Sequence, residues 1–64
     1  MEFKDWVCKK RNEKKWSLQE ASQKAGISKG YWWEIENGAC VPTIEKAGAV
    51  TKALGYKLST ALRS

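Results

Sequence analysis

Residues 26–38, GISKGYWWEIENG, decide how the rest of the chain is read. Ser28 can cap a helix that begins at Lys29, and Asn37-Gly38 supplies the left-handed exit that commonly closes a helix C-terminus. A helix of about two and a half turns is therefore bounded at both ends. Within it Trp32 and Ile35 fall on one face, while Lys29, Trp33, Glu34 and Asn37 fall on another. Successive positions point roughly 100° apart, so two adjacent indoles cannot both face inward. Trp32, on the Ile35 side, is predicted to be core, and Trp33 to be on offer to a partner.

The flanking sequence supplies what this helix packs against. Toward the N-terminus, Ser17-Leu18-Gln19-Glu20 is a capping box, with Ser17 covering the amide of Glu20 and Glu20 reaching back to Ser17. The helix it opens runs to Ala25, and Trp16, just before the cap, is placed to staple onto Ala21. Gly26 can take positive φ in the turn that follows, with Ile27 as a buried plug before Ser28. Residues 2–15 contain no Gly or Pro, and Phe3, Trp6, Val7 and Lys10 recur at helical spacing. This first helix has Glu2 and Asp5 at its start and Lys9, Lys10, Arg11, Lys14 and Lys15 toward its end, the distribution that suits the macrodipole. Such a basic run is more often a solvated, dipole-matched helix end than a binding patch.

Beyond Gly38 the segment ACVP is irregular. Pro42 fixes the chain for a new helix, Thr43 caps it, and it continues to Leu54, where Gly55 stops it. Ile44, Ala47, Gly48, Val50, Thr51 and Leu54 are predicted to form its inward side. The closing stretch YKLSTALRS can make only a short helix carrying Leu58, Ala61 and Leu62. With no strand, repeat or linker in view, the expected architecture is one all-α domain over residues 1–64, a compact bundle of five short helices.

Composition narrows the function classes. At 64 residues and a formal net charge of +5, with no His, the chain suits a polyanionic partner without requiring one. Two cysteines, Cys8 and Cys40, are too few and too far apart for a disulfide framework or a metal or redox motif, so both are expected reduced and no zinc is expected. The absence of His, of a paired carboxylate site and of a phosphate-cradling glycine loop argues against an enzyme and against a cofactor. No apolar run approaches the roughly 18 residues of a membrane span and no signal peptide opens the chain, so a soluble intracellular protein is expected.

The residues from Leu18 to Asn37, LQEASQKAGISKGYWWEIEN, resemble the helix-turn-helix of phage repressor and Cro-like (XRE-type) regulators. The resemblance rests on Gly26 with Ala25 and Ile27 beside it, on inward Trp32 and Ile35, and on IENG followed at family spacing by PTIEKAGAVTKALGY. It extends over roughly Phe3 to Leu62 and implies a lambda repressor-like domain. In that motif the second helix lies in the major groove while the first crosses the backbone. The resemblance therefore assigns Ser28, Lys29, Gly30, Trp33, Glu34 and Asn37 to base edges, and Ser17, Gln19, Lys14 and Lys15 to phosphates. It also implies a structural pair between Arg11 and Glu36, and a homodimer on DNA through Tyr56, Leu58 and Leu62. The function implied is a cytoplasmic, nucleoid-associated transcriptional repressor of phage, plasmid or mobile-element type. A protein-interaction module on the same fold, antitoxin-like or adaptor-like and anchored by Trp33 and Tyr31, is the other reading.

Several positions depart from the family pattern. Leu18 replaces the usual Gln, Ala39, Cys40 and Val41 leave the loop after IENG without charge, and Glu34 puts a carboxylate where DNA is expected. Ala21, Ala47 and Gly48 stand where the family packs Leu, which suggests that small residues make room for the indoles of Trp16 and Trp32.

Overall fold

A computed structural model describes residues 2–59 of the chain. Those residues form four α-helices and no strand: α1 (Phe3–Glu13), α2 (Leu18–Ala25), α3 (Lys29–Asn37) and α4 (Ile44–Ala53). The sequence led us to expect five. Of the stretch assigned to the fifth, only Leu58 and Ser59 are helical within the described residues, and the rest of it, with Leu62, lies outside them.

Three helices start where a hydroxyl caps them. The amides of Glu20, Tyr31 and Lys46 donate to Ser17, Ser28 and Thr43 at 3.1, 3.1 and 3.2 Å. The capping box at α2 is only half made, since the return bond from the Ser17 amide to the Glu20 carboxylate is absent among the described residues. Gly26 and Gly38 close α2 and α3 at φ 73°, a conformation costly for residues with a Cβ. The first helix ends at Glu13 rather than Lys15, because Lys15 takes φ 59° and the Trp16 amide folds back onto the Arg11 carbonyl.

The core is built from Trp6 and Val7 of α1, Ala21 of α2, Trp32 and Ile35 of α3, and Val50 and Leu54 from α4 and its cap. α2 packs on α3 and α4, and α1 packs on α3. Phe3, Trp16, Leu18, Ala25, Ile27, Tyr31 and Cys40 seal its edges. Two buried hydroxyls are satisfied within their own helices, Ser22 donating to the Gln19 carbonyl and Thr51 to the Gly48 carbonyl. Cys8 and Cys40 are both free thiols. No helix of the described residues is long and apolar enough to cross a membrane.

Two expectations about α4 are corrected. Ile44 is not inward but 81% exposed. The stripe Ala47, Val50, Thr51 and Leu54 faces the core, but Ile44 opens the helix one turn earlier, where Cβ atoms tilt toward the N-terminus and beyond the packed layer. Gly48 does not make room for an indole either, because a Cβ built there meets nothing within 4 Å.

Candidate nucleic-acid interface

The C-terminal half of α3 is fixed from below. Arg11 Nε and Nη2 donate to the two oxygens of the Glu36 carboxylate at 2.5 and 3.0 Å, the bidentate fork that guanidinium geometry favours. The third contact, from Nη1 to the Trp16 carbonyl at 2.7 Å, ties in the linker before α2. Trp32 Nε1 donates to the same Glu36 carboxylate from inside the core. One guanidinium thus joins α1, the start of α2 and the end of α3. The bond to Glu36 raises the Arg11 pKa above its ordinary value despite the opposing effect of burial.

The outward face of α3 carries every residue assigned to base edges. Ser28, Lys29, Gly30, Trp33, Glu34 and Asn37 are all exposed, and they form one strip along the helix. Trp33 keeps 49% of its surface in solvent, whereas Trp32, its neighbour in sequence, keeps none. Two of the polar groups are already partly occupied. Ser28 Oγ accepts the cap bond from Tyr31, and Asn37 Nδ2 donates to the Trp33 carbonyl at 2.9 Å, which leaves Asn37 Oδ1 and the Ser28 hydroxyl proton for an incoming partner. A Cβ at Gly30 meets nothing within 4 Å, so the protein itself imposes no need for glycine there.

Ser17, Gln19, Lys14 and Lys15 are exposed around the start of α2, beside the helix amides that can receive an anion. The ammonium of Lys14 lies 5.3 Å from the Trp16 ring centroid, and that of Lys24, which no sequence motif marks, lies 5.0 Å from it. At the other end of α3, the alkyl stem of Lys4 crosses Gly38, with Cδ and Cε at 3.2 and 3.6 Å from the place where a Cβ would stand.

Of the residues assigned to a dimer contact, two are described. Tyr56 turns back onto α1, edge to face with Trp6 at 5.3 Å and beneath the Lys10 ammonium at 5.0 Å. Leu58 instead lines an apolar hollow with Phe3, Val41, Pro42, Ile44 and Ala47. Leu62 lies outside the described residues.

A helix-turn-helix domain family model matches residues 10–63. Among solved structures, the clp gene regulator ClgR from Corynebacterium glutamicum superposes with a TM-score of 0.87 at 26% identity, over 95% of this chain and 65% of that one. The master regulator for biofilm formation SinR, solved in complex with DNA, superposes with a TM-score of 0.85 at 31% identity, over 94% of this chain and 97% of that one. In the SinR–SinI complex the same identity and TM-score span 59% of the matched chain. This chain therefore spans about two thirds of the ClgR chain. A comparison with curated protein sequences found no match.

Proposed function

Since the chain belongs to the helix-turn-helix domain family, we infer that it is a DNA-binding transcriptional regulator that inserts α3 into the major groove of duplex DNA. It is not an enzyme. The reading rests on the two faces of α3, one locked into the core by Trp32 and Ile35, the other presenting Lys29, Trp33, Glu34 and Asn37. Lys29 is the donor for guanine or phosphate, Asn37 Oδ1 accepts from a base edge, and Glu34 suits cytosine N4. Ser17, Gln19, Lys14 and Lys15 fix the register on the backbone. Sequence specificity and action as a small cytoplasmic repressor by operator occupancy complete the proposal.

A homodimer on DNA is part of the same reading. Val41 and Ile44, 94% and 81% exposed, lie beside Phe3 and Leu58 and give a second copy an apolar patch to cover. Substituting Ile44→Asp should then weaken operator binding while the monomer stays folded. Equal operator affinity for parent and mutant would remove this patch from the dimer contact.

Titration with random duplex DNA at low salt tests the central claim. About 4 to 6 phosphates neutralised per protomer give a log-log salt slope of roughly −4 to −5. A chain that binds only proteins shows no salt-dependent DNA binding, and that outcome would overturn the reading. Selection from a random duplex library then yields the operator, in which two half-sites about one helical turn apart are expected.

A further inference from the structure

We propose that Lys4, in the first turn of α1, contacts the DNA backbone at the C-terminal end of α3, a role resting on the DNA-binding reading above. The last turn of α3 contains no basic residue, and Ala39, Cys40 and Val41 beyond it are uncharged. Taken along the chain, that end of the recognition face has no cation. In space it has one. The Lys4 stem lies across Gly38, the residue directly after Asn37, and its ammonium is one bond beyond the Cε that touches this site.

Gly38 makes the approach possible. Any other residue would put a Cβ 3.2 Å from Lys4 Cδ, closer than ordinary contact, besides being strained at φ 73°. The position also favours a cation in the free protein, because the C-terminus of α3 carries the negative end of the helix dipole. Glu2 and Asp5 hold the ammonium at 3.6 and 3.8 Å, but both pairs are open to solvent. Such pairs contribute little and are screened, so a phosphate can take the ammonium from them. Lys29 marks the other end of α3, about 12 Å from Asn37 at 1.5 Å per residue, and the major groove is about as wide. Lys29 and Lys4 therefore stand at opposite ends of the recognition helix, one cation for the backbone at each.

The test compares salt slopes of the full chain on random duplex DNA. Lys4→Met keeps the apolar stem over Gly38 and removes the charge, Lys4→Gln serves if the Met variant folds poorly, and Lys4→Arg restores the charge. Lys52→Met removes the same charge from the last turn of α4. With one phosphate fewer neutralised, the slope for Lys4→Met should be shallower by about 0.9 per protomer, and the Arg and Lys52 variants should keep the parental slope. A parental slope for both neutral Lys4 variants overturns the proposal, as does an equal drop for Lys52→Met, which would make the effect one of net charge. If the parent itself shows no salt-dependent binding, the DNA-binding reading has failed instead.

Discussion

Replacing Arg11 by Met should remove a large share of the protein's stability. The side chains of Arg11 and Glu36 are 15% and 6% exposed, so the mutation leaves a carboxylate with almost no access to water. Its two guanidinium bonds disappear, and the Trp16 carbonyl loses its donor as well. The Trp32 indole remains the only hydrogen-bond donor to Glu36 among the described residues. Breaking a buried pair from one side typically costs about 3 to 5 kcal/mol, chiefly through the stranded charge. A chain of 64 residues has about 3 to 10 kcal/mol in total at typical per-residue stability. Urea unfolding followed by far-UV circular dichroism measures the loss. The double variant Arg11→Met with Glu36→Leu should recover most of it, since an apolar pair of similar volume is often neutral relative to the ion pair. A loss under 1 kcal/mol in the single mutant, or no recovery in the double, would refute the argument that the buried Glu36 charge depends on its guanidinium partner.

Trp32→Ala should cost about 3 to 5 kcal/mol as a large-to-small core change, whereas Trp33→Ala should leave the urea midpoint close to the parent's; equal shifts would overturn the assignment of the two indoles. Gly48→Ala should stabilise by about 1 kcal/mol, because the position is helical and a Cβ there meets open space; a lower melting midpoint would show that the space is filled in solution. Glu34→Gln should leave random-DNA affinity equal or better while reducing discrimination at one base pair by about 1 to 3 kcal/mol. Binding profiles over all single-base operator variants decide that point, and parallel profiles for parent and mutant would show that Glu34 reads no base.

What the sequence made legible was local. Ser17, Ser28 and Thr43 cap as expected, and Gly26 and Gly38 take the left-handed turns, because each depends on a few adjacent residues. The split between Trp32 and Trp33 follows from helical periodicity alone. What stayed hidden depends on where the elements end and which side of a helix another element covers. Ile44 has the spacing of a core residue but sits past the packed layer, and Gly48 invites a reading from side-chain volumes when the space beside it is simply open. The Arg11 bond to the Trp16 carbonyl leaves no mark in the sequence, since its acceptor is backbone. The bond from Trp32 to Glu36 was readable as a helical i, i+4 pair. Lys4 lies against Gly38 and Lys24 over the Trp16 ring, across chain separations that charge patterning does not capture.

The neighbouring indoles also make the protein its own optical instrument. Trp32 is sealed in the core against a carboxylate, and Trp33 stands half in solvent on the face offered to DNA. With Trp6 and Trp16 changed to Phe, emission from Trp33 should respond when a duplex arrives and that from Trp32 when the chain unfolds. Loading of the groove and integrity of the fold then become separately visible in one unlabelled sample, from two adjacent residues.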